Sequence, residues 1–168
     1  MAIVLIGGGA RSGKSRHALE VARKRGSRLV FLATAQAFDE EMVARVAKHR
    51  AERGADFSTI EEPLEIAEVI RKTADADAIV LDCLTLWLSN IMLTFGRDVD
   101  SEIENLIQAA QATSTAVIAV TNEVGCGIVP DNTLSRDFRD HGGVLNQRVA
   151  AVADEVYWMV FGQPLRVK

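Results

Sequence analysis

The chain has 168 residues, a length typical of one domain, and we predict a single domain over residues 1–168. The net charge of −4 argues against a broad surface for nucleic acid. No apolar run reaches the roughly 20 residues needed to cross a bilayer, which argues against a membrane span. The 2 cysteines lack metal-ligand spacing, so we expect reduced thiols in a cytoplasmic protein.

Apolar runs alternate with helical stretches along the whole chain. Strands are predicted at 2–6, 28–34, 57–61, 78–82, 116–121 and 155–160, with a hairpin return at 165–167. Helices are predicted at 16–23, 39–53, 64–72, 83–95, 100–112 and 132–153, the last interrupted near Gly142 and Gly143. Strands that are apolar throughout and alternate with helices indicate a three-layer α/β fold, with a mostly parallel sheet covered by helices on both faces.

The first predicted strand leads through a glycine-rich loop, Gly8–Ser15, into a helix. The loop fits the P-loop pattern G-x-x-x-x-G-K-[ST] in its full strand–loop–helix context. Glycines let successive N–H groups face phosphate oxygens, and the helix N-terminus adds partial positive charge. We expect Lys14 to reach the β- and γ-phosphates and Ser15 to ligate Mg²⁺, so the chain is predicted to bind ATP or GTP. The alternative is a turn that binds nothing.

Asp82 ends another apolar strand, which is the Walker B pattern. Ligands of open α/β sheets gather at the carboxyl ends of strands, so we predict that Asp82 belongs to the nucleotide site. Its usual role is to hold Mg²⁺ together with Ser15, although its partner there is either the metal or the base. The structural alternative is an N-cap for the helix that follows.

His49 is surrounded in sequence by the cations Lys48, Arg50 and Arg53. Neighbouring positive charges disfavour the imidazolium form, so the ring is biased toward the neutral, nucleophilic form. The same cations can receive phosphate oxygens. The alternative is a basic helix C-terminus that complements the helix dipole, which explains the charges but not the histidine.

Further polar residues follow apolar strands and are candidates for the same cleft, although each can equally be a cap or turn residue. They are Thr34, Gln36, Glu61, Asn122 and Glu123. His17, near the start of the first helix, is predicted to support the site, and His141 has the setting of a surface residue. The mixed charges of residues 136–140 are typical of a solvated helix face.

Segments along essentially the whole chain resemble one enzyme family, the bifunctional adenosylcobinamide kinase/adenosylcobinamide-phosphate guanylyltransferases of cobalamin biosynthesis. The segments are 8–16, 33–36, 39–50, 81–85, 121–130 and 138–147. The resemblance implies a RecA-like P-loop NTPase domain. It also implies a homo-oligomer, a trimer whose subunit interfaces help to form the corrinoid site.

The resemblance implies two reactions on this one scaffold. In the first, a nucleoside triphosphate phosphorylates the aminopropanol hydroxyl of adenosylcobinamide. In the second, GTP transfers GMP to a histidine with release of pyrophosphate, and the GMP passes to adenosylcobinamide phosphate to give adenosylcobinamide-GDP. The guanylylated histidine of the family falls on His49, so we predict that His49 is catalytic. Lys14 of the P-loop is the second predicted catalytic residue.

The family's nucleotide contacts carry over to a longer set of positions. They are Gly8, Gly9, Ala10, Arg11, Ser12, Gly13, Lys14, Ser15, Thr34, Ala35, Gln36, Arg50, Ala51, Glu52, Arg53, Glu61 and Asp82. The Asp82 carboxylate also matches the N1–H and the exocyclic amine of guanine, so metal and guanine both remain open. Two other functions stay in view: a small-molecule kinase that needs no His49, and a nucleotide-dependent switch that signals through a partner.

Overall fold

The computed structural model describes residues 2–36 and 54–168, so the helix predicted over 39–53 lies outside the described residues. The strands are β1 (Ile3–Gly8), β2 (Leu29–Ala33), β3 (Phe57–Glu61), β4 (Ala78–Asp82), β5 (Ala116–Val120), β6 (Glu155–Val160) and β7 (Gln163–Arg166). The helices are α1 (Lys14–Arg23), α2 (Ile66–Lys72), α3 (Leu84–Leu93), α4 (Val99–Ala112) and α5 (Thr133–Val152). Each described element is therefore confirmed to within two residues at either end.

The described strands form one sheet in the order β3-β2-β4-β5-β1-β6-β7. Neighbouring strands run parallel, except that β7 returns antiparallel to β6 as the predicted hairpin. β1 lies between β5 and β6, and β5 separates β1 from β4. Because the carboxyl ends of parallel strands meet at one edge, the loops after β1, β2, β4 and β5 share that edge of the sheet.

Apolar cores lie on both faces of the sheet, which explains why the central strands carry almost no polar residues. On one face, α1 packs through Ala18 and Leu19 against strand residues such as Ile6. On the other face, α2, α3, α4 and α5 pack together, with Trp87 and Ile103 among their buried side chains. The described residues therefore confirm the predicted three-layer α/β fold.

α2 starts two residues later than the predicted helix over 64–72. The helix begins at Ile66, with Glu65 as its N-cap residue. One oxygen of the Glu62 carboxylate accepts the N–H groups of Leu64 and Glu65, each at 2.9 Å. This side chain holds the segment in a turn, so the regular helix starts later than predicted.

The predicted interruption of the last helix at its two glycines is wrong, because α5 runs continuously from Thr133 to Val152. Asn132 caps its N-terminus, since its side-chain oxygen accepts the Ser135 N–H at 2.8 Å. A Cβ at Gly142 would lie 3.5 Å from a methyl carbon of Val124, so this glycine is in close packing rather than at a break. Tertiary packing has overridden the weak helix propensity of glycine.

None of the helices in the described part of the chain is long and apolar enough to cross a membrane. The cytoplasmic location and the single domain over residues 1–168 stay predictions.

Candidate active site

The P-loop connects β1 to α1 at the carboxyl edge of the sheet. Its backbone has positive φ at Gly8 (149°), Arg11 (54°) and Gly13 (92°). A Cβ at Gly8 would lie 2.9 Å from the Ser12 hydroxyl and 3.1 Å from the Met159 carbonyl oxygen, so this position requires glycine. Positive-φ turns of this kind, followed directly by a helix N-terminus, are how P-loops direct N–H groups at phosphate.

Lys14 begins α1, and its side chain is buried. Its ammonium donates to the Gly9 carbonyl oxygen and lies 3.4 Å from the Ser12 hydroxyl oxygen. Burial lowers the pKa of Lys14, while the negative charge of Asp82 acts in the opposite direction. The Lys14 ammonium is thus held against the P-loop backbone, where a lysine can contact the β- and γ-phosphates of a nucleotide.

Asp82 ends β4, in register with Ala33 of β2 and Val120 of β5. The N-cap residue of α3 is Cys83, which overturns the alternative that Asp82 caps this helix. Burial, and then the negative charge of Asp82, raises the pKa of the Cys83 thiol to about 11. The Asp82 charge therefore acts on two groups, the ammonium of Lys14 and the thiol of Cys83. The thiol stays protonated.

Ser15 and Asp82 offer a hydroxyl and a carboxylate, the hard oxygen donors that Mg²⁺ prefers. Within residues 2–36 and 54–168, no three His, Cys, Asp or Glu side chains form a metal-binding group. Magnesium needs no such cage, because at P-loops it takes one or two protein ligands together with phosphate oxygens and water. The donors present therefore fit Mg²⁺ bound along with a nucleotide.

Thr34, directly after β2, is fully buried. Its hydroxyl donates to the Cys83 carbonyl oxygen at 2.8 Å and accepts the Cys83 N–H at 2.9 Å, next to the cis Asp82–Cys83 peptide bond. The Asn90 side-chain amide donates to the carbonyls of Thr34 and Pro63, at 2.9 and 3.0 Å. These bonds tie together the segments after β2, β3 and β4. The structure thus places the Thr34 hydroxyl beside Asp82 as a tether, and its contact with nucleotide stays a prediction.

A second hydrogen-bond network joins β5 to α3 and α5. The Thr121 hydroxyl donates to the Asn146 side-chain oxygen at 2.7 Å and lies 3.4 Å from the Thr85 hydroxyl, which accepts the Asn122 N–H at 2.7 Å. The sequence does not predict the tethering roles of these side chains or of Asn90. The sequence signal is weak: Thr85 and Asn90 are, with Ser89, the polar residues of a mostly apolar helix.

The loop after β5 lies directly beside the P-loop. The Glu123 N–H donates to the Gly8 carbonyl oxygen at 3.1 Å, and one oxygen of the Glu123 carboxylate accepts the Gly125 N–H. Arg139 of α5 donates to the Gly125 carbonyl oxygen at 2.8 Å, and Arg136 donates to two carbonyls farther along the loop. These two arginines hold a loop at the site, so the prediction of a solvated helix face is wrong for both.

The remaining predicted nucleotide contacts are farther from the P-loop or outside the described residues. Glu61 ends β3, and β2, β4 and β5 lie between β3 and β1. At about 4.8 Å per strand, this places Glu61 roughly 19 Å from β1. Ala35 and Gln36 are the last described residues before the gap, and His49 and residues 50–53 lie within it. Their contacts with nucleotide stay predictions.

His17 has the packing of a supporting residue. Its ring meets the Tyr157 ring edge-on, with 5.1 Å between the centroids, and its Nδ1 lies 3.8 Å from a Glu20 carboxylate oxygen. Burial lowers the pKa of His17 despite the nearby Glu20 carboxylate. A ring held in this way between α1 and β6 stabilises the helix that follows the P-loop.

Known proteins match this chain over nearly its whole length. A family model described as CobU, cobinamide kinase / cobinamide phosphate guanyltransferase, matches residues 4–167. The chain is 42% identical to the bifunctional adenosylcobalamin biosynthesis protein CobU of Salmonella typhimurium, with 99% of each chain covered. It is 43% identical to the protein of the same description, CobP, of Pseudomonas aeruginosa, with 98% of this chain and 96% of that one covered.

Solved structures of similar fold have little sequence in common with this chain. The RadB recombinase is 15% identical with a TM-score of 0.53, covering 94% of this chain and 73% of its own. An ATPase from the type III secretion system of pathogenic bacteria is 13% identical with a TM-score of 0.60, covering 95% of this chain and 51% of its own. At these identities the likeness shows the fold alone, and it confirms the predicted RecA-like P-loop fold.

Proposed function

Because this chain belongs to the CobU family of cobinamide kinases and cobinamide phosphate guanylyltransferases, we propose that its one P-loop serves both reactions and that His49 carries GMP between them. The enzyme phosphorylates adenosylcobinamide and then guanylylates the product to give adenosylcobinamide-GDP. The observation that supports a shared site is the buried Lys14, held against the P-loop backbone within the electrostatic reach of Asp82.

In the kinase reaction, the P-loop N–H groups and Lys14 bind the β- and γ-phosphates and stabilise the charge that moves toward the leaving diphosphate. Ser15 and Asp82 would hold Mg²⁺, which when bound neutralises phosphate charge. The tethers at Thr34 and Thr85 keep the loops around this site at fixed separations. Preorganised donors of this kind cost little reorganisation energy at the moment of reaction.

In the guanylyl reaction, the neutral imidazole of His49 attacks the α-phosphorus of GTP. A phosphorus–nitrogen bond forms, the bond to the β-phosphate oxygen breaks, and pyrophosphate leaves with the electron pair. A phosphate oxygen of adenosylcobinamide phosphate then attacks the same phosphorus, and the imidazole leaves. The covalent intermediate divides one difficult transfer into two easier ones.

Mass spectrometry after incubation with GTP and Mg²⁺ tests the role of His49. We expect an acid-labile adduct of the mass of GMP on the parent protein and none on His49→Ala. His141→Ala is the matched control, because this half-buried histidine lies on α5, and it should retain the adduct. An adduct that persists in His49→Ala would move the nucleophile to another residue.

Asp82 has two proposed partners, and one variant separates them. If Asp82 holds Mg²⁺, Asp82→Asn should raise the Mg²⁺ concentration required with ATP and with GTP alike. If Asp82 instead recognises the N1–H and amine of guanine, the variant should slow the reaction with GTP relative to the reaction with ATP, at an unchanged Mg²⁺ requirement. Measuring the kinase rate with each nucleotide over a range of Mg²⁺ concentrations therefore decides between metal and base.

We do not retain the two alternative functions that the sequence allows, a kinase without guanylyl transfer and a nucleotide-dependent switch. The family to which the chain belongs is described by both transferase activities. No feature of the described residues favours either alternative over the bifunctional enzyme.

We further propose that the protein is a homo-oligomer, specifically a trimer. The end of α3 supports this proposal, because Leu93 is 70% exposed and the Phe95 side chain is fully exposed. Large apolar side chains exposed next to each other are typical of surfaces that contact another chain. Sedimentation analysis should give a mass of three chains for the parent protein and a smaller mass for Phe95→Ser.

A further inference from the structure

We propose that Glu123 is the base that accepts the proton of the substrate hydroxyl in the kinase reaction, an inference that rests on the proposed function. Phosphorylation of an alcohol needs a group that removes this proton, and a positioned carboxylate is a common solution. Glu123 is half-buried in the loop after β5, between the P-loop strand and the strand that bears Asp82.

The backbone places Glu123 directly beside the start of the P-loop. Its N–H donates to the Gly8 carbonyl oxygen at 3.1 Å, and the Lys14 ammonium donates to the carbonyl oxygen of the next residue, Gly9. Lys14 and Glu123 therefore donate hydrogen bonds to adjacent residues at the start of the P-loop. Because a P-loop lysine contacts the transferred phosphate, a base that takes the proton of the attacking hydroxyl has to lie at this end.

The Glu123 carboxylate is also held in a defined orientation. Its Oε1 accepts the Gly125 N–H, and the Gly125 carbonyl is in turn bound by Arg139. A Cβ at Gly125 would lie 2.7 Å from Oε1, so the absence of a side chain there makes room for the carboxylate. In the described part of the chain Oε2 accepts no hydrogen bond. One oxygen thus anchors the group, and the other is available to a substrate hydroxyl.

Other carboxylates that follow the described strands are less well placed. Asp82 is one strand farther from β1 and is assigned to the metal or the guanine. Glu61 ends β3 and Glu62 follows it, with three strands between β3 and β1, and Glu62 already accepts two backbone N–H groups. β5 is the direct neighbour of β1, so Glu123 is closest in strand order to the P-loop.

The proposed step is balanced. The substrate hydroxyl oxygen attacks the γ-phosphorus, its O–H bond breaks, and the proton passes to the Glu123 carboxylate. A new oxygen–phosphorus bond forms as the bond between the γ-phosphorus and the bridging oxygen breaks. The nucleoside diphosphate leaves with that electron pair.

Glu123→Gln is the decisive variant, because the amide oxygen can still accept the Gly125 N–H while the basic oxygen is lost. We expect the kinase kcat for adenosylcobinamide to fall about 10²–10⁴-fold, the usual contribution of a general base. The KM and the rate of GMP-adduct formation should stay within about twofold of the parent, since less than 0.5 kcal/mol separates rates that close. Asp131→Asn, an exposed acid on the same loop, is the control and should match the parent.

Chemical rescue makes the test independent of folding. Glu123→Ala should lose kinase activity to a similar extent and regain part of it when formate is added, because formate can occupy the space and accept the proton. Retention of the parent kinase rate in Glu123→Gln, or an equal fall of both reactions in that variant, would overturn the proposal. Failure of the proposed function looks different: the parent protein itself would then form no adduct and phosphorylate no corrinoid.

Discussion

The P-loop and the loop after β5 lie side by side at the same edge of the sheet, yet they are held in different ways. In the P-loop, the buried Lys14 bonds to Gly9 and lies near Ser12, which are within five positions of it in sequence. In the loop after β5, Glu123 is bonded to Gly8 of β1, and α5 supplies the arginine that holds Gly125.

The loop after β5 therefore depends on the rest of the fold more than the P-loop does. A phosphate cradle built from neighbouring residues keeps its shape as long as β1 and α1 flank it. A loop fixed by residues from distant parts of the chain keeps its shape only if β5 lies next to β1 and α5 packs beside both. Changes to the second loop should therefore impair one reaction selectively, while changes to the P-loop should impair both.

The largest expected effect is that of Lys14→Met. We expect both the kinase rate and the rate of GMP-adduct formation to fall about 10²–10³-fold, because one preorganised charge is lost from each transition state. Lys24→Met, an exposed lysine directly after α1, should leave both rates unchanged. Thermal unfolding of the two variants serves as the check on folding. A loss confined to one reaction would show that the reactions do not share the P-loop.

Arg139→Ala tests the loop after β5. Removing the charged donor from the Gly125 carbonyl should lower the kinase kcat about tenfold, since hydrogen bonds from charged groups contribute about 1.5–3 kcal/mol. Adduct formation should stay within about twofold, because the P-loop does not rely on this bond. Arg148→Ala is the matched control on the same helix: this arginine pairs with Asp100 and Glu104 at the surface, where such pairs contribute little. Equal loss of both rates in Arg139→Ala would remove the distinction between the loops.

The smallest expected effect concerns the helix that carries Arg139. At Gly143 a Cβ would meet no atom within 4 Å, so Gly143→Ala should stabilise a continuous α5 by about 0.5–1 kcal/mol. Gly96→Ala is the matched control: it has equal space but a φ of +82°, so alanine should destabilise there by about 1 kcal/mol. Urea unfolding measures both changes. Destabilisation by Gly143→Ala would favour the interrupted helix that the glycine pair predicts.

The elements that could be predicted are those specified by residues close together in the sequence. The P-loop could be predicted because its spacing, its preceding strand and its following helix are contiguous, and each strand because burial on both faces leaves an uninterrupted apolar run. Asp82 could be placed at the nucleotide edge for the same reason, since it directly follows such a run.

The contacts between these elements depend on the three-dimensional fold and could not be predicted. The strand order brings the loop after β5 against Gly8 and Thr34 against Cys83. It also leaves three strands between β3, which ends in Glu61, and the P-loop strand β1. The close fit of Gly142 against Val124 likewise keeps α5 continuous where two glycines predict a break. Hydrogen bonds and packing between residues far apart in sequence leave no periodic trace along the chain, so they follow from the register and order of the strands rather than from local pattern.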